Sequence, residues 1–319
     1  MVVILGLMVF LTGASCQREQ QGPHPSPQLS VVTTLFPLYD FARQIAGERA
    51  SVTLLLPPGV EAHSFEPKAG DILRVNKADL FIFTGKFMEP WADSFLKGVD
   101  NKSLVIVDTS QGITLMAGED DHDHGHGKDK DPGEGTHHHR HGRVDPHIWL
   151  DFNNAQRMVN TILMALVTKD PGNKDFYLRN ADAYMAKLAD LDRRYREGLS
   201  RCQKKIFVHG GHFVFNYLAR RYNLEYISAY SGSPDAEPSP RQLIALKKKI
   251  QENDLKVIYH EELIAPRIAE VLAKETGARI LKLHGAHNIA KDDFEKGTSF
   301  VAIMEENLKR LREGLECQQ

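Results

Sequence analysis

Fifteen of the 319 residues are histidine, and their neighbours set two groups of them apart. His122, His124, His126, His137, His138, His139 and His141 fall in a run of His, Asp, Gly, Lys and Glu at 117–143. Such a stretch has no apolar period and buries too little surface to offset its ordering entropy, so a mobile loop is predicted. Imidazole is the commonest side-chain metal ligand near neutral pH. The loop is therefore expected to hold metal only at weak auxiliary sites, because each ion captured must also order the chain.

Five other histidines stand in a different context. "DPHIWLD" sets His147 between Pro146 and an aromatic anchor, Trp149, and "LLLPPGVEAHSFEP" sets His63 in a loop after an apolar run. "FVHGGHFVFNYLARRYNL" puts His212 where a strand gives way to a helix, and "ILKLHGAHNI" puts His284 and His287 just beyond a strand. Open parallel sheets bind ligands outside the carboxyl ends of their strands, so loops distant in sequence can converge there. His209, one helical turn before His212, His260, beside Glu261, and His24, in a polar stretch, carry no such signal.

The elements that must position these loops are legible as an alternation. "LSVVTTLF", "SVTLLLP", "DLFIFTG" and "SLVIVDTS" in the first half, then "KIFVHGG", "LEYISAY", "LKVIYHE" and "ARILKLHG" in the second, read as short strands. Helical patterns or loops separate them; one is "PLYDFARQIAG", with Pro37 as a start signal and Gly47 as a stop. Alternation of this kind predicts an α/β fold: two lobes of parallel sheet with covering helices. Residues 172–202 are rich in helix formers and lack proline from 172 onward, with apolar residues at helical spacing. They predict one long helix joining a lobe at 29–171 to a lobe at 203–319.

Composition excludes some functions. Forty Lys and Arg against 42 Asp and Glu leave a formal charge of −2, and the basic residues are scattered, which argues against a nucleic-acid partner. "HEELI" at His260 has Ile264 where a zincin helix needs its second histidine, so a secreted zinc hydrolase is a weak alternative. The amino terminus reads as a secretory signal over 1–15 followed by a disordered linker over 16–28, and its apolar run is shorter than the roughly 20 residues of a membrane span. "LTGASC" resembles a bacterial lipobox, with Gly13 departing from the usual aliphatic, and implies lipidation of Cys16. An extracytoplasmic compartment would permit Cys202 and Cys317 to pair, but their spacing leaves that open.

"PPGVEAHSFEPKAGDILRVNKADLFIFTG", "DPHIWLD", "GHFVFNYLARRYNL" and "EELIAPRIAEVLAKETGARIL" together resemble the metal-binding receptors of bacterial ABC importers, the zinc and manganese type, over nearly the whole chain from about Leu29. The resemblance implies two lobes on a rigid helix and one metal ion in the cleft between them, delivered to an ABC permease in the membrane. It implies a receptor rather than an enzyme, a monomer, in the periplasm or on the outer face of the cytoplasmic membrane. Its ligands fall on His63, His147 and His212. At the fourth position relatives often carry Asp; here His284 aligns best and His287 is the alternative. Where manganese-type members have a glutamate this chain has Ser231, which favours the zinc-specific branch and Zn2+ as ligand, as does the His-rich loop; a manganese or other divalent-metal receptor is the alternative. Cell adhesion, attributed to some relatives, leaves no mark that the residues can discriminate.

Separating His147 from the neighbouring tract has a measurable consequence. Deleting residues 119–142 should lower zinc stoichiometry while one tight site persists in a calorimetric titration. Loss of the tight site with the tract would show the two to be one feature.

Overall fold

The computed structural model describes residues 28–118, 144–230 and 238–318. The expected signal, Cys16, His24, the seven tract histidines and Ser231 lie outside the described residues.

Strands β1 (Leu29–Thr33), β2 (Ala50–Leu54), β3 (Leu80–Phe83) and β4 (Val105–Asp108) form a parallel sheet in the order β2-β1-β3-β4. After a two-residue antiparallel pair, β5 (Met116–Ala117) with β6 (Val144–Asp145), the second lobe builds another sheet. Its strands β7 (Ile206–His209), β8 (Glu225–Ser228), β9 (Val257–His260) and β10 (Arg279–Lys282) are parallel in the order β10-β9-β7-β8. The two sheets share one permutation, with the first strand of each lobe lying between its second and third. Each lobe therefore has a switch point where the winding reverses, and loops leaving the strand ends there open a crevice. Central strands of such sheets are covered on both faces, which is why "LFIF" in β3 is apolar throughout and fully buried.

The helices are α1 (Phe36–Ala46), α2 (Ala69–Val75), α3 (Ala92–Leu96), α4 (Phe152–Lys169), α5 (Lys174–Ser200), α6 (Asn216–Arg221), α7 (Pro240–Glu252), α8 (Arg267–Thr276), α9 (Lys291–Glu295) and α10 (Phe300–Gly314). Pro37 lies in the first turn of α1 and Gly47, at φ 51°, ends it, as the sequence predicts. The 27 residues of α5 extend about 40 Å at 1.5 Å per residue. Its buried stripe of Tyr177, Ala181, Tyr184, Leu188, Leu191, Tyr195 and Leu199 packs on α1, α4 and α10. None of the helices among the described residues is long and apolar enough to cross a membrane.

One hydrophobic core runs through both lobes, taking in Leu80 and Ile82 of β3, the α5 stripe, Phe207 of β7 and Leu311 of α10. Asp40 of α1 reinforces it: its carboxylate accepts from the Tyr184 hydroxyl of α5 and from the Phe300 N–H that opens α10, both at 3.0 Å. Relative motion of the lobes would have to shear this shared packing.

Cys202 and Cys317 are joined in a disulfide that ties the end of α5 to the carboxyl-terminal segment. It closes a loop with a sequence separation of 115 residues. Crosslinks of that span remove a large share of the unfolded chain's freedom. Replacing both cysteines by serine is expected to cost about 2–5 kcal/mol, read as a lower urea midpoint with zinc absent. An unchanged midpoint would show that the bond contributes nothing to stability.

Candidate metal centre

Four loops converge between the lobes. His63 comes from the β2–α2 loop, His147 lies two residues past the end of β6, His212 lies between β7 and α6, and His287 between β10 and α9. One ring nitrogen from each lies within 4.8 Å of all the others. His63 Nε2 stands 3.2 Å from His212 Nε2 and 3.3 Å from His147 Nε2. Nitrogens at the corners of a tetrahedron, each 2.0–2.1 Å from a central zinc, stand about 3.3 Å apart. The two separations match that requirement. His147, His212 and His287 are buried and His63 is half-buried.

A carboxylate stands behind three of the rings. His147 Nδ1 is 2.7 Å from Asp145 Oδ1, which also accepts the His147 backbone N–H. His212 Nδ1 is 2.5 Å from Glu261 Oε2, and Glu262 Oε1 is shared, 3.5 Å from His287 Nδ1 and 3.1 Å from His284 Nδ1. Engaging Nδ1 leaves Nε2 as the lone-pair donor toward the cleft and makes it more basic. The His287 Nε2 is buried with no hydrogen-bond partner, as a donor atom awaiting an ion would be. Two glycines allow this crowding: a Cβ on Gly211 would lie 2.2 Å from Glu261 Oε1, and one on Gly285 would lie 2.6 Å from His287 Cε1.

The loops are also stitched across the cleft. The Trp149 indole N–H donates to Gly285 O at 2.8 Å, and its ring stands edge-on to both His147 and His287. In the other direction, the Asn288 amide donates to Pro57 O and Val60 O, both at 2.7 Å, and Phe36 N–H donates to His287 O at 3.1 Å.

The structure brings together three of the histidines expected from sequence, His63, His147 and His212, with His287, the alternative for the fourth place. His284 is outside the group. Its Nδ1 accepts the Ala286 N–H at 3.0 Å, and its backbone is clasped by Asn307 of α10, with bonds of 2.9 and 2.8 Å. The reason is the turn after His284: Ala286 adopts φ 61°, in the left-handed region, and delivers the alternative, His287, to the cleft. His209 is fully buried beside the group with neither ring nitrogen bonded, and burial pushes its pKa down to about 4. His260 also stands outside the group. Sequence reasoning missed Asp145, Glu261 and Glu262. The pair Asp145 and His147, two residues apart, was a visible signal; the glutamates follow β9, and only the strand order sets β9 beside β7.

A family model described as the periplasmic zinc-uptake complex component A matches residues 31–314. The chain belongs to this family. It is 39% identical over 310 residues to the high-affinity zinc uptake system protein ZnuA of Bacillus subtilis, covering 96% of this chain and 94% of that protein. The zinc-binding lipoprotein AdcA of Streptococcus pneumoniae is 35% identical over 309 residues, but the chain spans only 58% of its length. The crystal structure of the Zn(II)-bound ZnuA-like domain of that species' AdcA superposes with a TM-score of 0.74 at 32% identity, covering 91% of this chain and 99% of the domain. The two-lobed zinc-uptake fold thus accounts for nearly all of the described residues.

Burial, reinforced by the neighbouring rings, holds the pKa values of His63 and His147 well below the usual imidazole range. Burial pulls that of His212 down too, but the Glu261 carboxylate outweighs it and carries the pKa above its ordinary value. His212 is therefore the first of these three to take a proton as pH falls, and a protonated ring cannot ligate. Zinc affinity should begin to drop while the pH is still above about 6.5. Glu261→Gln should weaken binding at pH 8 by about tenfold and move the acid-induced fall to lower pH. A fall at the same pH in both proteins, followed by competition with a chromogenic chelator, would exclude His212 as the group responsible.

Proposed function

We propose that this protein captures Zn2+ outside the cytoplasm on His63, His147, His212 and His287 and delivers it to an ABC-type permease. The observation that carries the reading is the all-nitrogen group with near-tetrahedral spacing. Manganese prefers hard oxygen ligands, whereas imidazoles suit zinc. Four protein ligands also leave no open position for a water, and a hydrolytic zinc needs one. Transport rather than turnover is the function such a closed set serves. The disulfide suits an oxidising compartment, and we assign the chain there as a monomer. Tethering through a lipid on Cys16 belongs to the same proposal.

The fourth ligand is the point of test. His287→Ala should weaken zinc binding by more than the 10- to 100-fold typical of losing a ligand's hydrogen-bond partner, without unfolding the protein. His284→Ala should weaken it by less than about tenfold by the same scale. His287→Asp, which adds an oxygen ligand, should narrow the gap between zinc and manganese. Equal losses in the two alanine variants would return His284 to candidacy; no loss in either would put water at the fourth corner.

A further inference from the structure

His147 is carried on the short segment from Asp145 to Asn153, which belongs to the first lobe, yet α6 of the second lobe grips this segment at both ends. At its start, the buried Tyr217 hydroxyl donates to Asp145 O at 3.1 Å and accepts the Met116 N–H of β5 at 2.9 Å. One hydroxyl thus bridges both strands of the β5–β6 pair, beside the residue whose carboxylate holds the His147 ring. One helical turn further along α6, the Arg221 guanidinium donates to Asp151 Oδ1 at 3.0 Å and Asn153 Oδ1 at 2.9 Å. Arg221 is itself moored to the connecting helix α5 through two bonds to Asp192, of 2.6 and 2.8 Å. Burial raises the Asp192 pKa, but the bonds from Arg221 and Tyr222 outweigh it and bring it to about 2, so the mooring stays ionised at any physiological pH.

From this arrangement we infer that Tyr217 and Arg221 are positioning residues for metal retention: α6 clamps the His147 segment against the lobe that supplies His212 and His287, and thereby slows release of the ion. Neither residue belongs to the ring-nitrogen group. Each acts by fixing where His147 stands. The same α6 follows His212 by only four residues, so one rigid turn of helix sets two ligands relative to each other across the cleft. A ligand held in place before the ion arrives loses less freedom on binding, and an ion leaves slowly when its ligands cannot swing away singly. The inference rests on the receptor reading above, in that it takes the four histidines as the ligands.

The test compares single hydroxyl deletions. Tyr217→Phe removes both bonds to the β5–β6 pair. Tyr195→Phe removes another buried hydroxyl, one that donates to Met304 O at 2.6 Å, joining α5 to α10 and touching no ligand segment. Both should lower the melting temperature of the metal-free protein. Only Tyr217→Phe should speed zinc release to a chelator, by about tenfold, and alter the visible absorption of the Co(II)-loaded protein, which reports ligand geometry. Asp151→Asn, which keeps the α4 cap and an acceptor oxygen but removes the charge that strengthens the bond from Arg221, should speed release in the same direction by a smaller factor and serves if Tyr217→Phe does not fold. Unchanged release and an unchanged cobalt spectrum in Tyr217→Phe and Asp151→Asn overturn the clamp, as does an equal effect in Tyr195→Phe. Failure of the wild-type protein to bind zinc or cobalt would instead overturn the receptor reading, leaving the clamp without a ligand to hold.

Discussion

Four imidazole nitrogens crowded into one buried space are mutually unfavourable without an ion between them. The Nε2 atoms of His63 and His212 stand 3.2 Å apart, and lone pairs at that separation repel unless a proton or a metal is shared. In the open cleft of a flexible protein the rings would rotate away to find water. Here they cannot, because carboxylates hold three of the rings from behind and the loops are stitched across the cleft by Trp149 and Asn288. Much of the molecule can be understood as what resists that dispersal.

The shared core supplies the resistance at larger scale. Two lobes on a flexible linker would open and close around a ligand as rigid bodies, but these lobes share one apolar core along α5, and Asp40 fastens α1, α5 and α10 at a single carboxylate. Shearing that interface would expose large aromatics such as Phe41, Tyr184 and Phe300, which pack ring against ring. Motion is therefore cheaper in the loops at the strand ends than in the lobes. The four clustered histidines sit in those loops, so their positions depend on the local bonds there more than on the placement of whole lobes.

The alternation of strands and helices, the long helix and three of the four clustered histidines were legible in the sequence, because each depends on local signals: β-branched runs, proline-free helix formers, and histidines just beyond strand ends. The fourth histidine of the cluster was not. "HGAH" offers two histidines three residues apart, and the choice between them rests on the left-handed conformation of Ala286 and on Asn307 of α10, 20 residues beyond His287, clasping His284. Glu261 and Glu262 were hidden for a related reason. Their place behind His212 and His287 follows from β9 lying between β7 and β10, a pairing that sequence alternation does not specify. The small β5–β6 pair is two residues long on each side and has no sequence signature at all, although it sets the approach of Asp145 to His147.

Charge explains why so neutral a set of ligands can still favour a dication. Four neutral imidazoles contribute no charge, and a doubly charged ion buried among them would be expensive by desolvation alone. Glu261 and Glu262 answer this. Burial raises both pKa values, but the histidine beside Glu261, His212, and those beside Glu262, His284 and then His287, outweigh it and carry both below the ordinary carboxylate value. Asp145, which burial pushes up to about 7, is about half ionised at neutral pH and adds part of a further charge. Two carboxylates thus stand just outside the proposed nitrogen shell, where negative charge would offset that of a bound ion. They do so without offering oxygen as a ligand, so the preference for a nitrogen-seeking metal is kept while the electrostatic cost of burying it is met. A set with the glutamates inside the shell would gain the same balance but lose its discrimination against manganese.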